Sequence, residues 1–124
     1  VWKADVMGAA ETDTIEDYDL SDSNVSDGAY FKGSPWVGDN MHAYIEQSPI
    51  TYWKNIHTPT LIFSNTGDVR VPITQSYKMY HALKDNHVPV RFIAWPEPGH
   101  EVNGPVRVED LYRLWLEWFD RYLR

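Results

Sequence analysis

Two side chains in this sequence have the types and the spacing to move a proton together, Asp68 and His100. Asp68 lies in N-T-G-D-V-R-V-P, just past the apolar run T-L-I-F-S at 60–64. His100 lies in P-E-P-G-H-E, just past V-P-V-R-F-I-A-W at 88–95. In parallel α/β sheets, reactive groups gather beyond the carboxyl ends of the strands. If these two runs are neighbouring strands, both side chains open onto one edge. A carboxylate that accepts from one imidazole nitrogen fixes the ring's tautomer and stabilises the imidazolium formed when the other nitrogen takes a proton. Each residue alone has a plainer reading. An Asp after a strand ordinarily bonds its own turn, and a His after Gly in a loop is unremarkable.

The partner such a pair would need is a nucleophile, and none is evident. An activated serine at a strand-to-helix elbow carries G-x-S-x-G, which this sequence lacks. Its serines are Ser21, Ser23, Ser26, Ser34, Ser48, Ser64 and Ser76. Ser34 follows Gly33 but precedes Pro35 and Trp36, while Ser48 and Ser76 read as cap and helix residues. The acidic stretch Asp17 to Asp22 resembles the start of a calcium loop. It lacks the glycine at the sixth place and the glutamate at the twelfth, where Asp22 and Gly28 stand, so a solvated acidic loop is the better reading. His42, His57, His81 and His87 show no paired ligand spacing, and no glycine-rich phosphate loop is present. No metal or cofactor is therefore expected.

The elements that would position Asp68 and His100 can be read from pattern. Residues 3–10, K-A-D-V-M-G-A-A, suit a short buried strand. Residues 11–35, rich in Asp, Ser, Asn and Gly, read as a long irregular surface excursion. A short helix is expected from Val37 to Gln47 with Asp39 as N-cap, and Ser48-Pro49 opens a further turn. Residues 60–64, introduced by Pro59, read as a buried strand. Pro72 opens a helix to about Asn86 with Ile73, Tyr77, Tyr80 and Leu83 on one stripe. Val88 to Trp95 is the next strand, broken by Pro96, Pro98 and Gly99. Pro105 to Leu123 is an amphipathic helix with Leu111, Leu114, Trp115, Trp118, Phe119 and Tyr122 inward and Glu109 and Asp110 in its first turn. Strands alternating with helices of this length imply an α/β fold with three parallel strands and flanking helices.

Composition narrows the partners. The 124 residues are one domain's worth, and 43% hydrophobic residues suffice for a packed core. A net charge of −7 argues against nucleic acid or an anionic membrane surface as partner. No apolar run approaches the roughly 20 residues that span a bilayer. Cysteine is absent, which excludes disulfides and thiolate metal sites. The opening Val1-Trp2-Lys3 reads like the interior of a longer polypeptide.

Several segments together resemble a known family. They are S-P-I-T-Y-W-K-N-I at 48–56, N-T-G-D-V-R-V-P-I-T-Q-S-Y at 65–77, Y-H-A-L-K-D-N at 80–86, F-I-A-W-P at 92–96, G-H at 99–100 and P-V-R at 105–107. With K-A-D-V-M-G-A-A-E-T-D at the start and G-S-P-W at 33–36, they resemble the end of the catalytic domain of prolyl oligopeptidase family serine peptidases. The acylaminoacyl-peptidase and dipeptidyl-peptidase-like branch is the nearest in pattern. An acid followed one helix and one strand later by a base is also the chain order of α/β-hydrolases. The resemblance implies residues 1–124 as the C-terminal half of an α/β-hydrolase domain, with Asp68 as triad acid and His100 as triad base. Val6–Ala10, 60–64 and 88–95 would be its sixth, seventh and eighth strands. The family's serine and oxyanion donors would lie upstream. Two departures stand out. The family commonly has Gly after the Asn of the K-D-N turn, where this chain has His87. It usually has an aromatic after the histidine, where this chain has Glu101, a carboxylate that either favours the imidazolium or points to solvent.

Two functions from different classes follow. In the first, the chain supplies the acid and base of a serine hydrolase for peptide or acyl-ester substrates. In the second, it is a non-catalytic self-associating module. Without a nucleophile-bearing neighbour, its first strand keeps a bare edge that invites pairing with another copy, so a homodimer is expected. A third arrangement, with water activated by His100 or an unusual serine as nucleophile, would be slow without an oxyanion hole.

Overall fold

The computed structural model describes residues 2–124, so Val1 falls outside the described residues. Its elements run β1 (Asp5–Gly8), α1 (Thr14–Leu20), α2 (Asn24–Tyr30), α3 (Met41–Gln47), a 3-10 helix (Pro49–Asn55), β2 (Thr60–Gly67), α4 (Ile73–Asp85), β3 (Val90–Pro98) and α5 (Pro105–Leu123). The three strands form one parallel sheet in the order β1-β2-β3. Asp5 pairs with Thr60 in register, and Thr60 with Val90.

β2 is central and buried on both faces, which is why its sequence is a continuous apolar run rather than an alternating one. Successive side chains point to opposite faces. Ile62 accordingly packs with Met79, Leu83 and Val88 on the α4 side. Leu61 packs with Leu114 and Trp118 on the α5 side, where Trp115 and Tyr122 add partly buried area. The predicted inward face of α5 is the one that meets the sheet. At the β1–β2 junction Gly8 lies beneath the Phe63 ring, and a Cβ there would stand 2.0 Å from Phe63 Cζ.

The excursion at 11–35 is the largest correction. It holds α1 and α2, and four buried polar residues, Thr12, Thr14, Asp17 and Ser21, anchor it. Asp13 caps α1 by accepting from the N–H groups of Ile15 and Glu16 at 3.1 and 3.2 Å. D-x-x-E at 13–16 is a capping-box pattern, a legible signal obscured by the surrounding polar residues. Gln75 of α4, fully buried, then ties this segment down. Its carbonyl oxygen accepts from Thr12 N and Asp13 N at 2.8 and 2.9 Å, and its amide donates to Asp17 Oδ1 at 2.9 Å.

Smaller differences have local causes. α3 begins at Met41 with Asn40, not Asp39, at the cap position and no side-chain cap bond. Ser48 precedes the 3-10 helix but bonds Tyr44 O and Thr14 instead of capping it. The buried stripe of α4 is Gln75, Ser76, Met79 and Leu83, because tethering to 12–17 and to β2 rotates polar residues inward. Tyr77 is left 44% exposed, its ring edge-on to Phe92. The third strand begins at Val90, with Val88 in the turn that closes α4. It also continues through Pro96 to Pro98. On an edge strand, a missing N–H on the open side interrupts no ladder. α5 starts at Pro105, so Glu109 and Asp110 fall in its second turn.

Candidate active site

Asp68 and His100 meet at the carboxyl ends of β2 and β3. Asp68 Oδ2 lies 2.9 Å from His100 Nδ1, with the carboxylate side chain fully buried and the imidazole 44% exposed. The other oxygen, Oδ1, accepts from Arg70 N at 2.8 Å and Val71 N at 3.0 Å. The two oxygens of Asp68 therefore have separate partners. Asp68 closes its own turn and it bonds the histidine. Three hydrogen bonds hold this desolvated carboxylate in place, the condition for keeping a buried charge. With Nδ1 donating to Asp68, a neutral imidazole presents Nε2 as a lone-pair acceptor. No hydroxyl among the described residues is bonded to that nitrogen.

The two loops are cross-tied. Gly99 N donates to Gly67 O at 3.1 Å, and the backbones are so close at this point that a Cβ on Gly67 would sit 3.0 Å from Glu97 O and Pro98 Cα. Asn65, buried near the end of β2, donates from its side-chain amide to Gly99 O at 2.9 Å and Glu101 O at 3.1 Å. The segment between α1 and α2 adds a strap. Asp22 N donates to Val69 O at 2.9 Å, Ser21 Oγ donates to Arg70 O at 2.6 Å, and Asp22 pairs with the Arg70 guanidinium at 2.6 Å. Asn65, Ser21 and Asp22 are not marked out for this site by any sequence motif. Only the polar Asn at the end of an apolar strand run was a usable signal.

A cleft of about 310 Å³ lies beside the imidazole, lined by Asp22, Val69, Arg70, His100 and Glu101. Asp22 offsets Arg70 there. The exposed Glu101 side chain forms no ion pair among the described residues. Three of the other serines are engaged in the interior. Ser64 and Ser76 bond each other at 2.6 Å in the interior, and Ser48 bonds Thr14.

The acidic stretch at 17–22 disperses. Asp19 accepts from Trp36 Nε1 and Asp22 holds Arg70, while Asp17 turns inward. Asp17 instead meets Glu11 and Asp27, the three placing one carboxylate oxygen each within 4.8 Å. These are the described residues best placed to hold a cation. Burial, then the charges of Glu11 and Asp27, push the Asp17 carboxyl up to about 7. Burial also raises Asp27 and Glu11.

The chain is similar to known proteins along its length. Residues 1–124 match the prolyl oligopeptidase family. The chain is 33% identical over 83 residues to the acylamino-acid-releasing enzyme of Mus musculus, covering 67% of this chain and 11% of that protein. It is 28% identical over 98 residues to the enzyme of the same name from Arabidopsis thaliana, covering 79% and 13%. The solved structure of Pyrococcus horikoshii acylaminoacyl peptidase superposes with a TM-score of 0.85 at 26% identity, over 98% of this chain and 20% of that one. The chain thus spans a small part of the length of the relatives it matches, and its three strands and flanking helices are part of an α/β-hydrolase fold. By sequence along its whole length, and by fold, the chain belongs to the prolyl oligopeptidase family.

Proposed function

We propose that this chain supplies the acid and the base, Asp68 and His100, of a serine hydrolase that cleaves peptide or acyl-ester bonds. The observation that carries the reading is the buried Asp68 carboxylate, fixed by two backbone N–H groups and bonded to His100 Nδ1 at 2.9 Å. The serine would come from a segment outside these 124 residues. Its hydroxyl proton passes to His100 Nε2 as the oxygen attacks the acyl carbon. The imidazolium, stabilised by Asp68, then returns that proton to the departing amine or alcohol. Water repeats the cycle and releases the acid. The relatives' names, acylamino-acid-releasing enzyme and acylaminoacyl peptidase, support an N-acylated amino acid as the acyl donor. The test is hydrolysis of an N-acyl amino-acid anilide by the full-length polypeptide carrying this chain. His100→Ala should remove nearly all turnover. A variant that kept the full rate would refute the assignment.

A second reading, self-association without catalysis, has its own support. β1 has a hydrogen-bonded neighbour on one side only among the described residues. Beside it runs an apolar groove of about 810 Å³ bounded by Trp2, Val6, Trp115 and Phe119. The indole N–H of Trp115 is buried there without an acceptor among the described residues. On this reading a second copy of the chain pairs along β1 and covers the groove. Light scattering on the purified 124-residue chain should then give twice the monomer mass, and a clean monomer would sink the idea.

A further inference from the structure

We infer that Asn65 is a positioning residue for the base, a role that rests on the hydrolase reading above and extends it. Three hydrogen bonds converge on this one side chain and its carbonyl. The amide nitrogen donates to Gly99 O at 2.9 Å and to Glu101 O at 3.1 Å, the carbonyls flanking His100 on either side. The main-chain oxygen of Asn65 accepts from Asp68 N at 3.3 Å. One residue of the central strand therefore sets the backbone of the acid with its carbonyl and the backbone of the base with its amide. Both side-chain partners can only accept, so the NH₂ end of the amide must face them.

The loop needs such a clamp because packing does not hold it. His100, Glu101, Asn103, Gly104 and Pro105 are all exposed. Gly99 and Gly104 take positive φ values of 81° and 88°, which places two conformationally free residues around the histidine. Apart from Asn65, the ties on this stretch are Gly99 N to Gly67 O, His100 to Asp68, the local bond of Asn103 to Glu101 O, the bond of Val108 N to Gly104 O within the start of α5, and the half-exposed Arg107–Glu97 ion pair that joins the loop's two ends without touching the histidine. Asn65 is 3% exposed, so its bonds are shielded from competing water. Removing them leaves the ring held by the Asp68–His100 bond and by ties at the loop's ends, Gly99 N to Gly67 O and Arg107 to Glu97, so Nε2 can shift relative to the serine oxygen. A displacement of about 1 Å in a reacting group can cost on the order of a hundred-fold in rate.

The experiment uses the full-length polypeptide with an N-acyl amino-acid anilide, comparing Asn65→Ala, Asn65→Asp, Asn65→Ser and Asn103→Ala. Asn65→Asp keeps the size but has no donor when ionised, whereas Asn65→Ser keeps one donor. The expected result is a roughly 10- to 100-fold fall in kcat for Ala and Asp with KM little changed, and a smaller fall for Ser. The downfield proton resonance of the His100–Asp68 bond should broaden or vanish in the Ala and Asp variants. Asn103→Ala, which loses only a bond to Glu101 O, should keep the wild-type rate. Full kcat and an unchanged resonance in Asn65→Ala and Asn65→Asp, with His100→Ala inactive, would overturn the inference and leave the hydrolase reading standing. A loss that appears equally in KM and in melting cooperativity across all three Asn65 variants would mark a merely structural role and also overturn it. Full activity in His100→Ala would instead overturn the reading on which it rests.

Discussion

Replacing Asp17 by Asn should stabilise the protein at neutral and alkaline pH and do little in acid. Asp17 is 3% exposed and faces Glu11 and Asp27, and its carboxyl titrates near 7 instead of near 3.8. The folded state therefore holds a proton that the unfolded chain gives up near pH 4. Between pH 4 and 7 the folded form binds more protons than the unfolded form, so stability falls as pH rises through that window and levels off above it. A carboxyl raised from 3.8 to about 7 sets a ceiling of roughly 4 kcal/mol on the effect. Solvent screening and the sharing of charge among three coupled carboxylates bring the expected effect to about 1–2 kcal/mol at pH 8. Asn keeps the acceptor for Gln75 Nε2, at 2.9 Å from Asp17 Oδ1, and supplies a donor where the protonated acid had one. Urea denaturation followed by tryptophan fluorescence from pH 4.5 to 8.5 measures the difference. Parallel pH profiles for the two proteins, or an Asp17→Asn variant less stable than the wild type at pH 8, would refute the reasoning.

Other substitutions test other parts of the fold. His87→Gly should raise stability by roughly 0.5–1 kcal/mol in thermal melts, since His87 holds a left-handed φ of 59° where Gly has no Cβ to clash. Gly8→Ala should destabilise by about 1–3 kcal/mol, because the new Cβ meets the Phe63 ring, itself packed near Trp95 and Trp115. Asp68→Asn in the full-length polypeptide should lower kcat by roughly 10³- to 10⁴-fold, as an amide facing Nδ1 favours the wrong tautomer; a loss under ten-fold in a kinetic assay would speak against the acid role. Gln75→Leu should cost about 2–4 kcal/mol by orphaning Thr12 N, Asp13 N and the Asp17 carboxyl, and denaturant midpoints would show it.

The parts legible in the sequence were those governed by periodicity. The strand at 60–64 announced itself because a central parallel strand is apolar on both faces. α5 did so because its sheet-facing residues recur at helical spacing. Asp68 and His100 were legible because each follows such a run directly. What escaped was held by long-range polar contacts. α2 carries Gly28 and, apart from Ala29, no strong helix former, so its composition gave little signal of a helix. The inward turn of Gln75 and Ser76 depends on Thr12, Asp13 and Ser64, which lie more than ten residues away. The turn after α4 shows the reverse case. The family-like glycine is missing, yet the same turn forms with His87. His87 N bonds Lys84 O and Val88 N bonds Leu83 O, both at 3.0 Å, while Val88 packs on Leu83. Packing held a conformation that the residue type alone disfavours.

The sheet register also sets an order of assembly. β2 and β3 pair across the compact crossover of α4, with Thr60 opposite Val90, whereas β1 reaches β2 only by closing everything between Asp5 and Thr60. Shorter closures form first because they lose less chain entropy. Asp68, His100 and Asn65 all lie within the β2-α4-β3 unit and the loop that follows it, so Asp68 and His100 should come together early. Ser21 and Asp22 arrive with the late-closing segment and lock the Arg70 turn from outside. Amide exchange should accordingly protect the Asp68 and Val71 backbone before that of Asp22 during refolding. The bonded Asp68–His100 pair thus belongs to the part of the chain expected to fold first, while the wall of the cleft beside it is added afterwards.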